Sequence, residues 1–148
     1  MSVSVMLRLA TMADAELLLR WRNDADTQRF SLNSDQITEQ QHIRWLQQSL
    51  SNPQRRLYIA EYADQPAGTV RVDSTADYHR ISWTVAAEYR GKGLAKAMVK
   101  LLVSQLTGTI VAEILPGNTA SVCVAEYAGL TYQNTHNGIM YYESQTPG

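Results

Sequence analysis

Arg90-Gly91-Lys92-Gly93-Leu94-Ala95 carries the densest chemical signal in the chain. Glycines and an alanine leave little side chain between the backbone and anything that approaches it. If a helix begins at Leu94, its first amide N–H groups have no intrahelical acceptor, and the helix dipole places partial positive charge at the same point. Such a helix mouth receives anions, and phosphates suit it best. Arg90 and Lys92 add full positive charges beside it. A surface turn with ordinary basic residues has the same composition, so the decision rests on which elements flank the motif.

Those elements are a strand and a helix. Ile81, Trp83 and Val85 alternate with Ser82 and Thr84, the period-two pattern of a strand. Beyond the motif Leu94, Ala97, Met98, Leu101 and Leu102 form one stripe of a helix, with Lys96 and Lys100 left for solvent. Upstream, Val5 to Ala10 reads as a short strand, followed by a capping-box variant at Thr11-x-x-Asp14. The helix it opens contains Leu17, Leu18, Leu19 and Trp21 and ends in Trp21-Arg22-Asn23-Asp24, where Asn and Asp favour leaving a helix. A second box, Thr38-x-x-Gln41, opens a helix with Ile43, Leu46 and Leu50 on one face, Trp45 off that stripe and His42 beside it. Ser51-Asn52-Pro53 ends it. Leu57 to Tyr62 and Thr69 to Asp73 are expected as an antiparallel hairpin with turn chemistry in Asp64-Gln65-Pro66-Ala67-Gly68.

Downstream, the β-branched run Thr109 to Leu115 follows the central helix and completes a β-α-β crossover, which makes it a parallel neighbour of the central strand. Asn118 is a good N-cap, with Ala120, Cys123, Val124 and Tyr127 as the stripe behind it and Gly129 as the stop. Asn137-Gly138, between Leu130-Thr-Tyr-Gln and Ile139 to Glu143, is a strong hairpin signal. The residues after Glu143 are expected to fray.

The ordered set resembles the GNAT acetyltransferases, whose cofactor motif is Gln/Arg-x-x-Gly-x-Gly/Ala after a central strand. Glu113-x-x-x-x-Asn118-x-x-Ser121 and the closing hairpin extend the likeness over most of the chain. The resemblance implies an α/β (α+β) fold with a mixed sheet of about six or seven strands, about four helices, and parallel strands splayed at the cofactor site. It also implies acetyl transfer from acetyl-CoA to a primary amine, with no metal. Backbone groups near Val85 would bond the pantetheine arm and the thioester oxygen, where a donor stabilises developing negative charge. The diphosphate would lie on Gly91, Lys92, Gly93, Leu94 and Ala95 beside Arg90, and Asn118 would contact the cofactor.

The Trp21-Arg22-Asn23 ending resembles family members that acetylate nucleotide-linked amino sugars in flagellar and surface-glycan pathways, and also those that acetylate protein N-termini. Arg22 and Arg29 are acceptor-side candidates, because a guanidinium holds phosphate or carboxylate with paired hydrogen bonds. Trp45 is a candidate platform for a flat ligand face. Direct attack needs a neutral amine and hence a base; His79, Asp73 and Glu61 are available, with Ser82 as a water holder. Many relatives place the tyrosine that protonates the departing thiolate where this chain has Ala125. Tyr127 lies about 200° around the helix from that position, which leaves Tyr141, Tyr142 or solvent as the acid.

The chain has 148 residues, 45% hydrophobic and 18% charged, and one domain spanning 1–148 is expected. A net charge of −1 argues against a nucleic-acid partner. No apolar run reaches membrane length, and the N-terminus lacks the pattern of a signal peptide; a cytoplasmic enzyme follows. The single cysteine, Cys123, reads as a small buried hydrophobe. A homodimer is compatible with all of this. Peptide N-terminal acetylation, or a non-catalytic acetyl-CoA-binding module, are the competing readings.

Overall fold

The computed structural model describes residues 4–24, 27, 29 and 37–146. Residues 1–3 and 147–148 lie outside them, and the tail read above as frayed is corrected in part: Ser144 to Thr146 continue the last strand, paired with Gly108 to Ile110. Seven strands form one sheet in the order β1-β2-β3-β4-β5-β7-β6: β1 Met6–Leu9, β2 Arg55–Tyr62, β3 Gln65–Ser74, β4 His79–Val85, β5 Gly108–Ile114, β6 Thr131–His136 and β7 Ile139–Thr146. The helices whose full extent lies among the described residues are α1 Ala15–Arg22, α2 Glu39–Ser51, α3 Leu94–Ser104 and α4 Thr119–Tyr127, and Thr27 and Arg29 are helical as well. Every strand pair is antiparallel except β4 with β5. The mixed sheet and the helix count are those the resemblance implied.

The two faces of the sheet are divided by strand alternation. Ala60, Val70, Val72, Ile81, Ile110, Ala112 and Ile114 are buried together with Leu94, Met98, Val99 and Leu102 of α3 and Val124 and Ala125 of α4. Leu57 and Ile59 point the other way and pack with Leu18 and Trp21 of α1 and Leu46 of α2. Helix α3 lies so close to β3 that a Cβ on Gly68 would sit 2.5 Å from the Thr84 carbonyl oxygen and 2.9 Å from Met98 Cε. Only glycine fits there.

The N-terminal signals fold as their chemistry requires. Thr11 and Asp14 form the capping box on a short 3-10 turn, Met12–Asp14, ahead of α1. Asp14 also receives a two-pronged bond from Arg8, at 2.9 Å to each carboxylate oxygen. Thr38 and Gln41 cap α2 in the same reciprocal way.

Four local readings are corrected. The β2–β3 turn is Ala63-Asp64 alone, both at positive φ (52° and 64°), and β3 already begins at Gln65. Pro66 is tolerated because it sits beside the irregularity at Ala60/Glu61. The buried face of α2 is His42, Leu46 and Ser49, while Leu50 is exposed; His42, stacked on Trp45, takes a core position that the aliphatic stripe assigned to neither. On α4 the buried pair is Val124 and Ala125, and Ala120 and Tyr127 are exposed. Cys123 is consequently exposed as a free thiol rather than buried.

Candidate functional site

Strands β4 and β5 are paired only at His79↔Ile110 and Arg80↔Val111. Residues 81–85 of β4 and 112–114 of β5 continue without pairing to one another. On its other edge β4 stays bonded to β3 along its whole length, from Ser74↔His79 to Gly68↔Val85. The gap is therefore one-sided, a wedge whose vertex is Arg80/Val111 and whose mouth opens toward the start of α3. Backbone groups along such a gap must find partners, and an extended chain of amides is a suitable one.

The mouth of α3 differs from those of α2 and α4. Thr38 caps α2 with its own side chain, and the Asn118 carboxamide oxygen accepts the Ser121 N–H at 3.2 Å to cap α4. The N-cap of α3 is Gly93, in the left-handed region (φ 77°), with no side-chain cap. The intrahelical ladder begins with Ala97 N–H to the Gly93 carbonyl, 3.3 Å. The amides ahead of it, at Leu94, Ala95 and Lys96, are the orphan donors of a helix start. Gly91 is also at positive φ (80°), and a Cβ placed on it would meet no atom within 4 Å. Glycine is thus required here by backbone conformation and not by crowding. Gly91, Lys92 and Gly93 are exposed, Leu94 is buried as the first residue of the core stripe, and Ala95 is half-buried. A diphosphate on these amides and an amide-bearing arm in the wedge match the donors and the space that the fold leaves.

Arg90 turns toward the strand end. Its Nε donates to the Val85 carbonyl at 3.2 Å, and its Nη2 donates to Asp24 Oδ2 at 2.8 Å and to Thr27 Oγ1 at 3.2 Å. Asp24, at the exit of α1, is held below the ordinary carboxylate range chiefly by the hydrogen bond from Arg90. Arg20, Trp21, Asp24, Val85 and Arg90 are among the residues lining a cleft of about 170 Å³ between the end of α1 and the end of β4.

Beyond the vertex, the sheet face away from α3 and α4 is polar. Arg55, Arg71 and Arg80 converge on Asp73, and Arg80 reaches on to Glu113 at 3.1 Å. Burial lowers the pKa of Arg71, with Asp73 opposing the shift. A second concavity, about 380 Å³, lies over β5, β7 and β6 and is lined in part by Tyr78, Glu113, Asn134, Tyr141 and Glu143.

The catalytic candidates are dispersed. Ser82 is exposed on β4, opposite Arg71. Both ring nitrogens of His79 are engaged, Nδ1 with Ser74 Oγ at 2.7 Å and Nε2 with the Thr107 carbonyl at 3.1 Å. Asp73 is paired with the three arginines and Glu61 with Arg8. Tyr141 stands opposite Glu113 across β5 and β7, and Tyr142 is buried on the core side. Ala125 is fully buried, and its methyl group offers no proton to the wedge from that position. Tyr127 leans over α3 instead, 5.5 Å and 4.9 Å from the Lys96 and Lys100 ammonium groups.

On the acceptor side, Arg22 is half-buried in the last turn of α1 and Arg29 is helical and exposed. Trp45 packs against the α1–α2 core beside His42 and Arg55, away from the cleft lining. Sequence reasoning missed the Arg90–Asp24 contact and the Arg80–Glu113 pair. They join residues 66 and 33 positions apart, beyond the reach of any local spacing.

The family described as the acetyltransferase (GNAT) domain matches residues 4–131. No curated protein sequence matches the chain. Among solved structures, the chain is similar to the aminoglycoside acetyltransferase AAC(6')-Ib in complex with paromomycin and acetyl-CoA, at 25% identity, covering 97% of this chain and 93% of that one, with a TM-score of 0.84. It is similar in fold to spermidine N-acetyltransferase from Vibrio cholerae in complex with CoA and spermine (14% identity, 95% and 94% covered, TM-score 0.84). The ribosomal L7/L12 alpha-N-protein acetyltransferase RimL, in complex with coenzyme A, is a further likeness (15% identity, 98% and 96% covered, TM-score 0.84).

Proposed function

Because the chain belongs to the GNAT acetyltransferase family, which makes it an acetyl-CoA-dependent N-acetyltransferase, we propose that it acetylates the primary amine of a nucleotide-linked amino sugar, with the diphosphate of acetyl-CoA on residues 91–95. The observation that carries the cofactor side is the pairing of an uncapped helix mouth with a one-sided wedge between β4 and β5. The uncapped mouth matches an anion and the wedge matches an amide-bearing arm, and they adjoin.

Acetyl-CoA supplies a thioester carbon open to attack by a neutral amine. The residues of this chain bind and orient. Amides from Gly91 to Ala95 would neutralise the diphosphate, with Lys92 exposed beside them. Backbone groups of β4 near Val85 would align the thioester and offer a donor to its oxygen. Asn118 stays a helix cap and reaches the cofactor only through the amide hydrogens its cap leaves over. The amine proton leaves on the polar sheet face, where Ser82 can hold a water; His79 is already bonded at both nitrogens, so a base role for it would require giving up the Ser74 or Thr107 contact. Tyr141, which pairs with Glu113 in the strand register, is the side chain we assign to return a proton to the departing coenzyme A thiolate, with solvent as the alternative donor.

Support for a nucleotide-linked acceptor is the arginine-rich end of α1, where Arg20 lines the cleft and Arg22 and Arg29 follow. A second reading, an acceptor with several amines and no phosphate, is favoured by Glu113 and Glu143 in the larger concavity. The two separate in one assay: coenzyme A release measured with a thiol reagent across UDP-amino sugars, aminoglycosides, spermidine and a peptide N-terminus. Turnover of a UDP-amino sugar above the others is expected. Turnover of spermidine, an aminoglycoside or the peptide alone would overturn the nucleotide-sugar assignment.

A further inference from the structure

We propose that Asp24 is a positioning residue for acetyl-CoA, acting through Arg90 on the end of β4 and on the glycine loop; the proposal rests on the reading that residues 91–95 hold the diphosphate. One edge of the Arg90 guanidinium spans two elements. Its Nε bonds the Val85 carbonyl at 3.2 Å and its Nη2 bonds Asp24 Oδ2 at 2.8 Å. The carboxylate is itself fixed, since the same Oδ2 accepts the Thr27 N–H at 3.1 Å and lies 3.4 Å from the Thr27 hydroxyl. Both side chains of the pair are about 30% exposed (33% for Arg90, 28% for Asp24), so solvent screens it less than a pair on the open surface.

The glycine loop has little packing of its own to set its position. Gly91 has nothing within 4 Å of its would-be Cβ, and the α3 mouth has no side-chain cap. The residue that leads into this loop is Arg90, and Arg90 is tied by its side chain to Val85 and Asp24. The pair therefore sets the spacing between the strand that would align the thioester and the amides that would hold the diphosphate. A guanidinium fork is a directional tether, which a point charge is not.

Two effects of Asp24 oppose each other, and their sign separates the roles. As a bare charge, Asp24 repels an anionic ligand, so neutralising it would tighten acetyl-CoA binding. As an anchor, neutralising it loosens Arg90 and weakens binding. The test is calorimetric acetyl-CoA affinity for the wild type, Asp24→Asn, Asp24→Ala, Asp24→Glu, Arg90→Lys and the Asp24→Asn/Arg90→Lys double variant, with the thermal midpoint of each recorded. The expected result is about tenfold weaker binding for Asp24→Asn, partial recovery in Asp24→Glu, and a double variant no weaker than its worse parent, the signature of two residues acting as one unit. Asp24→Asn is isosteric and carries the test if Asp24→Ala fails to fold. Unchanged or tighter binding in Asp24→Asn would overturn the proposal. Gly93→Trp is run in parallel: if it loses acetyl-CoA while Asp24→Asn does not, the anchor is wrong and the site stands. If Gly93→Trp binds as the wild type does, the site reading fails and the anchor falls with it.

Discussion

Gly93 and His42 are the two residues whose surroundings give the sharpest expectations. Gly93 occupies the left-handed N-cap position of α3, where a bulky side chain would stand over the orphan amides. Gly93→Trp is expected to weaken acetyl-CoA binding by at least roughly a hundredfold in calorimetry, while circular dichroism keeps the wild-type spectrum; near-wild-type affinity would show that the anion is held elsewhere. His42 is almost wholly buried between α1 and α2, stacked on Trp45 at 5.7 Å. Burial holds its pKa below the ordinary 6.5, against a smaller opposing contribution from the Ala15 backbone. A base with a depressed folded pKa disfavours the proton in the folded state, so the unfolded chain takes it up first. Its contribution to stability is complete above about pH 6.5 and falls away as the pH drops through the folded value. Thermal melts between pH 7.5 and 5 should show this loss, and His42→Phe, which keeps an aromatic ring against Trp45, should flatten it.

At the scale of elements, α3 carries the most, because it both seals the core and presents the anion site. Its approach to β3 depends on Gly68, where a Cβ would strike the Thr84 carbonyl and Met98. Gly68→Ala is expected to destabilise the protein by about 1–3 kcal/mol in denaturant titration and to weaken acetyl-CoA binding, since a displaced α3 carries its mouth with it. Tyr127→Ala, on the exposed side of α4, removes the ring over Lys96 and Lys100 and should cost about 0.5–1 kcal/mol of stability while leaving turnover intact, which would remove Tyr127 as the acid. These elements were largely legible in the sequence. Capping boxes at Thr11 and Thr38, the Asn118 cap and the Asn137-Gly138 turn are local chemistry, and the fold uses each. Which arc of a helix is buried was less legible. On α2, His42 replaces the aliphatic residue a stripe would demand, and on the short α4 only Val124 and Ala125 are fully covered, so Cys123 was misread as core. The strand start at Gln65 was hidden because Pro and Gly read as turn residues, although β3 accommodates both beside an irregular register.

Across the described residues, one sheet covered by α1 and α2 on one side and α3 and α4 on the other leaves a place between β4 and β5 where neighbouring strands part. The motif at 90–95 pointed to that place from the sequence because the chemistry is carried by backbone and by small residues adjacent in the chain. The acceptor side was not readable in the same way. Asp24 meets Arg90, and Glu113 meets Arg80, only after the sheet is assembled. Acid should act on the whole fold through Asp14 and Asp24, both held below the ordinary carboxylate value of 3.8 by arginine partners. The stability they provide is present above that value and lost as the pH falls through their folded pKa values, and Asp14→Asn should raise the pH-independent fraction of a melt series below pH 4. The claim on which the functional reading depends is spatial, and a crystal structure of the chain with acetyl-CoA tests it most directly. The account predicts diphosphate oxygens about 3 Å from the amides of residues 91–95 and the pantetheine arm lying between β4 and β5. Acetyl-CoA bound on another face, or a wedge closed by β4–β5 pairing beyond Arg80, would contradict it.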